Sequence, residues 1–240
     1  MALLRAAEGC DCIAHLAAIP SPGWRDDVLF ETNVTGTQYV LAAAEAHGIQ
    51  KVALASTCCT FGIFFARHRL EPQYFPMDED HPALPQDLYG LSKVLNEQTA
   101  ATYTRRTGMT TVCLRLTTVM HLGGDRIERQ RRHLANTDQW RAGDMWSYID
   151  DRDAARAFRL SIETKNTGHH VLIVAARDSF SAVDVRELVR SHYPNQADQV
   201  AHMGPHDSLY RTDRAEQAIG FVAEWSWLRM PEFADLAKTA

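Results

Sequence analysis

Apolar residues along this chain fall into short runs that are separated by longer segments with helical spacing. Runs at 11–18, 51–56, 110–116 and 169–175 have the length and continuous apolarity of strands in the interior of a parallel sheet, and a shorter run covers 145–150. We therefore predict a strand at each of these five places, the first of them a buried one.

The segments between the runs have the spacing of amphipathic helices. The predicted helices cover 24–47, 87–108, 125–136, 151–163 and 181–193, and a small helical lobe covers 208–227. Asp150 or Asp151 is a candidate N-cap of the fourth helix, and Ser181 of the fifth. Segment 57–86 is rich in proline and is predicted to be a loop. Because strands alternate with helices, the pattern predicts an α/β fold with a mostly parallel sheet.

The composition sets limits on size and partners. A chain of 240 residues with 45% hydrophobic residues can bury a large core, in one domain or in a domain with a smaller lobe. Its formal charge of −5 argues against nucleic acid or an anionic membrane as the main partner. No apolar stretch approaches the roughly 20 residues that span a bilayer, and the N-terminus does not resemble a signal sequence. Since the 5 cysteines lie mostly in strand-like segments, we expect reduced thiols and a cytoplasmic protein.

Tyr89 and Lys93 are the first candidates for chemistry. They lie four residues apart on a predicted helix and therefore project from the same face. A phenol with a pKa of about 10 is a poor acid or base at neutral pH, but a nearby ammonium or an oxidised nicotinamide would lower that pKa. Tyr89 could then exchange a proton with a substrate oxygen during hydride transfer. The same spacing also arises by chance on many helices, so this pair alone decides nothing.

Two further polar groups favour a ligand site. Ser56 and Thr57 end the second predicted strand, and open α/β sheets bind ligands beyond the carboxyl ends of their strands. A hydroxyl there can bond the same substrate oxygen as Tyr89, although serine and threonine also cap many ordinary turns. Asn33 and Gly36 begin an otherwise apolar helix, where a glycine is costly unless something packs closely against it.

In this order, the pieces resemble the extended short-chain dehydrogenase/reductase superfamily, and within it the NAD-dependent epimerase/dehydratase family. The resemblance covers the chain from about Asp11 to its C-terminus. The matching residues are His15-Leu16-Ala17-Ala18, Asn33 with Gly36-Thr37, Ser56-Thr57 with Phe61-Gly62, Tyr89 with Lys93 and Glu97, Leu114-Arg115, and Tyr148-Ile149-Asp150 with Asp153-Ala154-Ala155. The resemblance implies a Rossmann-like doubly wound parallel sheet with a small C-terminal substrate lobe.

The resemblance also implies a role for each candidate residue. Tyr89 would be the general acid/base, Lys93 would lower its pKa and bind the nicotinamide ribose, and Thr57 would complete the catalytic set. The implied contacts to the cofactor, NAD or NADP, are Leu16, Ala17, Ala18, Asn33, Ser56, Tyr89 and Lys93. Asn33 would either contact the cofactor or brace the loop after the first strand. Thr118 and Arg126 are the implied substrate contacts.

Departures from the family pattern narrow the reaction. Cys58-Cys59 stand where sugar-nucleotide dehydratases carry an acidic pair, which argues against dehydration. Phe61 replaces a tyrosine, and Thr118 replaces an asparagine of many sugar-nucleotide epimerases, which weakens the case for a nucleotide sugar. The loop 61–86 is similar to that of a uronate-dehydrogenase-like branch. The implied function is NAD(P)-dependent oxidation, reduction or epimerisation of a hydroxyl of a sugar or sugar acid.

Family members begin with a strand, a Gly-x-x-Gly-x-x-Gly turn and a helix that together bind the cofactor's pyrophosphate. The sequence has no such segment before its first predicted strand, so we expect an N-terminally truncated form in which that strand becomes the edge of the sheet. We expect a partial dinucleotide-binding domain over 1–165 and a mixed C-terminal portion, including the substrate lobe, over 166–240.

Other interpretations stay open. A non-catalytic binding or regulatory module could keep the same fold, and the basic run 126–132 could bind phosphate, although it is more simply a solvated helix face. His15, His169 and His170 could suggest a metal site, but their context favours packing or surface roles, so we predict no metal. The resemblance also implies a homodimer formed through helices 25–47 and 87–107.

Overall fold

The structure is a computed structural model that describes residues 2–135 and 142–238. Its strands are β1 Ile13–His15, β2 Lys51–Thr57, β3 Thr110–Leu116, β4 Val119–Met120, β5 Ile149–Asp150 and β6 His169–Val174. One parallel sheet has the order β1-β2-β3-β6, and β4 pairs with β5 in a separate two-stranded parallel sheet. The predicted α/β fold with a parallel sheet is confirmed.

In the first half of the chain the helices follow the predicted pattern, except that the helix Ala2–Ala7 was not predicted from the sequence. They are α1 Ala2–Ala7, α2 Asp26–Phe30, α3 Gly36–Ala46, α4 Leu88–Thr107, α5 Ile127–Leu134, α6 Asp151–Glu163, α7 Val185–His192 and α8 Asp213–Ile219. A π-helical segment, Glu31–Thr35, joins α2 to α3. The predicted helix 24–47 is therefore one continuous helix that widens in its middle.

Helices cover both faces of the main sheet. Val52 and Leu54 of β2 pack in one cluster with Leu41 of α3 and Ala100 of α4. Ala53, which points to the opposite face, packs in a second cluster with residues of α6 and α8. Because side chains alternate along a strand, a continuously apolar strand such as β2 requires this cover on both faces.

β1 differs from the other strands of the main sheet. It pairs with β2 on one side, Ala14 is exposed, and the side chains of Ile13 and His15 are half-buried. Leu16, directly after the strand, is 57% exposed. The predicted position of β1 at the edge of the sheet is confirmed. The prediction that β1 is buried, which rests on its apolar sequence, is wrong.

The predicted strand 145–150 is mostly wrong. Met145 and Trp146 have φ angles of 59° and 47°, in the left-handed region that a strand cannot use. Only Ile149 and Asp150 are in β5. Asp150 then caps α6 by accepting a hydrogen bond from the Arg152 amide at 3.0 Å, which selects it over Asp151 as the N-cap.

The last third of the chain is less helical than predicted. α7 begins at Val185 with Asp184 as its N-cap, whereas the hydroxyl of Ser181 accepts from the Val183 amide in the preceding turn. Within 208–227 the helix is limited to α8, and short 3₁₀ turns follow from Trp227 onward. The predicted helix 125–136 is observed as α5, and residue 136 lies outside the described residues.

In the part of the chain that the structure describes, no helix combines the length and apolarity that crossing a membrane requires. All five cysteines are free thiols, as the sequence predicts.

Candidate functional site

A cleft of about 400 Å³ opens where β1, β2 and β3 end. Ala55–Cys59 and Leu116–Val119 form its wall at the ends of β2 and β3, and Leu16 and Ala18 contribute from the segment after β1. The carboxyl ends of neighbouring parallel strands meet at one edge of a sheet, so this is where an α/β protein binds its ligand.

α4 brings Tyr89 and Lys93 to this cleft. The helix begins at Leu88 because the Asp87 side chain caps it, accepting a hydrogen bond from the Gly90 amide at 2.8 Å. Lys93 Nζ donates to the carbonyl of Ala55 at 2.9 Å and lies 5.8 Å from the centre of the Tyr89 ring. The two side chains thus share one helix face and one cleft wall.

Thr57 completes the group, since it lines the same cleft as Tyr89, and its hydroxyl oxygen accepts a hydrogen bond from the Cys59 amide at 3.2 Å. Burial raises the pKa of Tyr89 above its ordinary value, Cys59 raises it further, and the nearby Thr57 side chain lowers it. The expected lowering of this pKa by Lys93 is not observed, because Lys93 is not among the groups that shift it and burial dominates. Tyr89 is therefore a protonated phenol at neutral pH.

Lys93 is itself strongly affected by burial. Its side chain is 4% exposed, and burial lowers the pKa of Lys93 to about 8, against the opposing effects of Cys113 and Glu97. A lysine with this pKa is partly deprotonated slightly above neutral pH. Neighbouring groups that raise the pKa of Lys93 therefore decide whether it is charged near neutral pH.

His15 is fixed as a neutral imidazole beside Lys93. Burial and the Lys93 charge lower the pKa of His15 to about 4. The Thr37 hydroxyl donates its one hydrogen to the Asn33 carbonyl at 2.7 Å, so it accepts from His15 Nε2 at 3.1 Å. His15 consequently carries its proton on Nε2.

Asn33 supports the cleft from behind and does not line it. Its carboxamide oxygen accepts from the Ile19 amide at 2.8 Å, and its nitrogen donates to the Ile19 carbonyl at 3.0 Å and to Ser92 Oγ at 3.1 Å. These bonds tie the loop after β1 to the π-helical segment and to α4. Of the two roles considered for Asn33, contact with the cofactor or bracing of this loop, the geometry agrees with bracing.

Two other residues assigned to the cofactor lie differently from what the sequence suggests. Ser56 is on the cleft wall, but its hydroxyl donates to Glu97 Oε1 at 2.6 Å. Leu16 and Ala18 line the cleft, whereas Ala17 between them is not part of its wall.

The two residues assigned to the substrate lie in adjoining spaces. A smaller groove of about 200 Å³ meets the cleft at Thr118 and is lined by Arg126, directly before α5, and by Arg129 in the first turn of α5. Thr118 lines both spaces and donates to Asp144 Oδ2 at 3.2 Å. Arg126 therefore belongs to the groove and not to the cleft that holds Tyr89.

Sequence reasoning missed part of the cleft wall. Asp144, Ser147 and Tyr210 line it from far along the chain, and no local motif announces them. Phe65 contacts the Tyr89 ring at 6.3 Å between centroids and the Phe64 ring at 4.5 Å. The adjacent pair Phe64 and Phe65 in a proline-rich loop is the sequence feature that could have predicted this part of the wall.

The cysteines and histidines near the site have ordinary structural roles. Burial raises the pKa of Cys59 to about 12 and that of Cys58 further, so neither is a reactive thiolate. His169 Nδ1 is bonded to Thr111 Oγ1 at 2.8 Å, and His15 to Thr37, on different strands. The histidines considered for a metal site are thus not brought together.

Known proteins have sequences similar to that of this chain. The UDP-glucose 4-epimerase of Corynebacterium glutamicum is 25% identical over 236 residues, which covers 88% of this chain and 68% of that protein. The uronate dehydrogenase of Pseudomonas syringae pv. tomato is 28% identical over 171 residues, which covers 71% of this chain and 54% of that protein. The chain spans between 30% and 68% of the length of the curated relatives it matches.

A solved structure supports the same fold. A short-chain dehydrogenase/reductase superfamily protein from Agrobacterium tumefaciens, crystallised with bound NAD, superposes with a TM-score of 0.66 at 22% identity and covers 99% of this chain and 81% of that one. The family described as the NAD dependent epimerase/dehydratase family matches residues 2–175, which include all of the cleft residues contributed by β1, β2, α4 and β3. This chain, whose sheet ends in the cleft of Thr57, Tyr89 and Lys93, is a member of the NAD dependent epimerase/dehydratase family.

Proposed function

We propose that this chain carries the reactive site of an NAD-dependent oxidoreductase or epimerase that acts on a hydroxyl of a sugar or sugar acid. The observation that carries the proposal is that Thr57, Tyr89 and Lys93 line one cleft at the ends of parallel strands, with Lys93 one helical turn from Tyr89. Relatives named as a UDP-glucose 4-epimerase and a uronate dehydrogenase support the substrate class.

The donors of the cleft fit the nicotinamide end of NAD. Lys93 uses one of its three N–H donors on the Ala55 carbonyl, which leaves two for the hydroxyls of a ribose. Leu16 and Ala18 supply an apolar wall for a planar ring. When bound, the nicotinamide would accept or supply the hydride.

The protein's own residues would move the proton. Tyr89, protonated and buried, would donate its hydrogen to a substrate carbonyl oxygen, and Thr57, which lines the same cleft, would bond that oxygen and fix its position. In the oxidative direction Tyr89 must first lose its proton. The positive charges of Lys93 and of an oxidised nicotinamide would lower the pKa of Tyr89 enough for that step.

The groove beside the cleft suggests how a substrate could extend away from Tyr89. Thr118 stands between the two spaces, and Arg126 and Arg129 are available for an anionic group such as a carboxylate or phosphate. We propose that 1–165 supplies the cofactor side of the site and 166–240 the C-terminal portion with the substrate lobe, although β6 of that portion completes the main sheet.

A titration with NAD+, NADH, NADP+ and NADPH, followed by an assay with sugar and sugar-acid substrates, tests the proposal. We expect saturable binding of NAD, and we expect Tyr89→Phe to bind it equally while losing about 10²- to 10⁴-fold in kcat, since general acid/base catalysis contributes that much. Tyr39→Phe, at a tyrosine that is 57% exposed, is the matched control and should keep full activity.

The second candidate is a non-catalytic binding or regulatory module with the same fold. It would be favoured by a folded chain in which Tyr89→Phe has the same properties as the parent protein. Failure of the folded chain to bind any of the four nucleotides would contradict the proposed enzyme.

We further propose a homodimer formed through α2–α3 and α4. Val28 and Phe30 are each 37% exposed and Tyr39 is 57% exposed, so this surface carries large apolar side chains in contact with water. Sedimentation should give twice the mass of one chain, with Tyr39→Glu shifted toward the monomer. A monomer at all concentrations would contradict this association.

A further inference from the structure

Tyr89, Lys93 and Glu97 lie at successive four-residue steps on α4, and all three face the end of β2. Lys93 Nζ donates to the carbonyl of Ala55 at 2.9 Å. Glu97 Oε1 accepts from the hydroxyl of Ser56 at 2.6 Å. Two side chains one turn apart thus hold two consecutive residues of the strand, immediately before Thr57, which lines the cleft with Tyr89.

β3 completes the contact from the other side. Arg115 donates from Nε to Glu97 Oε1 at 3.0 Å and from Nη2 to Oε2 at 2.9 Å. Both side chains are buried, with exposed fractions of 7% for Arg115 and 5% for Glu97. A bidentate pair of this kind has a single well-defined geometry, so it fixes the position of the carboxylate that Ser56 contacts.

We propose that Glu97 is a positioning residue, which fixes α4 against the end of β2 and keeps the Lys93 amine charged beside Tyr89. It does not touch the reacting atoms. It acts through Ser56 and Lys93. The proposal rests on the roles of Tyr89 and Lys93 given above.

The charges around Lys93 support the second half of the proposal. The groups that face the amine are His15 from β1, Tyr89 and Glu97 from its own helix, and Cys113 from β3. His15 is neutral, and burial raises the pKa of the Cys113 thiol well above its ordinary value, so it is neutral as well. Glu97, which is paired with Arg115, is the acidic group in this set, and its charge opposes the lowering of the Lys93 pKa by burial.

The test measures the titration of Lys93 without cofactor or turnover. Amine acetylation at a series of pH values, read by mass spectrometry of the Lys93 peptide, reports the deprotonated fraction, and Lys51, Lys165 and Lys238 serve as internal references. In the parent protein we expect a midpoint near pH 8. Glu97→Gln should lower the midpoint and make Lys93 at least about threefold more reactive at pH 7, the effect of half a pH unit.

Two variants distinguish the effect of the Glu97 charge from that of its hydrogen bond to β2. Glu97→Asp keeps the negative charge on a shorter side chain, so the Lys93 midpoint should stay near that of the parent protein. If Glu97 acted only through its shape, the isosteric Glu97→Gln would resemble the parent protein more closely than Glu97→Asp. Glu45→Gln is the matched control, because Glu45 makes the same bidentate contact with Arg106 of α4 on the protein surface. It should leave Lys93 unchanged.

Removal of Glu97 alone leaves a buried arginine without its partner, which can prevent folding. Glu97→Gln combined with Arg115→Gln removes both charges and should still lower the Lys93 midpoint. A midpoint equal to that of Glu45→Gln in whichever variant folds would overturn the proposal. Because the readout needs no catalysis, an inactive enzyme with the expected titrations would contradict the proposed function and leave the role of Glu97 in place.

Discussion

Asp178 is a residue whose chemistry depends on where the fold puts it. Its carboxylate accepts hydrogen bonds from the hydroxyls of Tyr148 at 3.1 Å and Ser226 at 2.9 Å, and burial raises the pKa of Asp178 to about 6. No cation among its described partners compensates for the lost hydration fully, although Arg229 opposes the shift. The folded protein therefore retains this proton at pH values where the unfolded chain has released it.

This shift predicts a specific dependence of stability on pH. Since the folded pKa lies above the ordinary carboxyl value, the stability that Asp178 contributes is present at low pH and is lost as the pH rises from about 4 to 6. The difference in the free energy of unfolding between the parent protein and Asp178→Asn should decrease by about 2 to 3 kcal/mol as the pH rises across this window. Each pH unit corresponds to about 1.4 kcal/mol. Denaturant titrations at several pH values measure it.

The exposed residue Asp125 provides the control for this experiment, since Asp125→Asn should show a difference that does not change with pH in the same way. A constant difference for Asp178→Asn would mean that its carboxyl titrates in the folded protein as it does in the unfolded chain.

At the scale of an element, the proline-rich loop depends on a close approach at Gly62. This residue has a φ angle of 79°, and a Cβ there would lie 1.9 Å from the carbonyl oxygen of Leu84, at the other end of the loop. The loop carries Phe64 and Phe65 to the cleft, so the approach of its two ends shapes the wall beside Tyr89.

The chain offers a matched pair of glycines that tests this point. Gly108 ends α4 with a φ angle of 78°, and nothing lies within 4 Å of a Cβ there. Gly108→Ala should cost about 1 to 2 kcal/mol, the price of the left-handed conformation, whereas Gly62→Ala should cost clearly more because the backbone must move. Unfolding free energies of the two variants decide this, and equal losses would show that the loop relaxes freely.

At the scale of the whole molecule, the C-terminal segment is held against the β5–α6 junction. Asp153 Oδ2 accepts from the amides of Glu224 and Trp225 at 2.8 Å. The indole of Trp227 is fully buried and donates to the Ser179 carbonyl at 2.8 Å. Residues distant in sequence thereby pack together near the groove lined by Arg126, where Phe180 belongs to the same cluster as Trp227.

We predict that this segment is part of the cooperative unit. Trp227→Ala should reduce the free energy of unfolding by about 3 to 5 kcal/mol, as loss of a buried aromatic side chain does. Trp225→Ala, at a side chain that is 39% exposed and lies over Arg152, should cost much less. Thermal unfolding of both variants measures the difference, and similar midpoints would mean that the segment detaches before the core unfolds.

The sequence predicted best where local pattern and tertiary environment agree. β2, β3, α4, α6 and β6 were placed to within about one residue, since continuous apolar runs between helices of matching period allow few other folds. At 145–150 the apolar run wrongly predicted a strand. Met145 and Trp146 are buried but lie in a left-handed turn, and an apolar run indicates burial without distinguishing a turn from a strand. At α7 an aspartate three residues later displaced Ser181 as the N-cap.

By itself the sequence determined the family, the order of the elements and the placement of Tyr89 and Lys93 on one helix face, because these depend on spacing along the chain. Tertiary structure alone decided that Ser56 bonds Glu97, that Arg126 lies in the adjoining groove, and that burial sets the proton affinities of Tyr89 and Lys93. Desolvation and long-range hydrogen bonds arise from the packing of distant segments, and no local pattern carries that information.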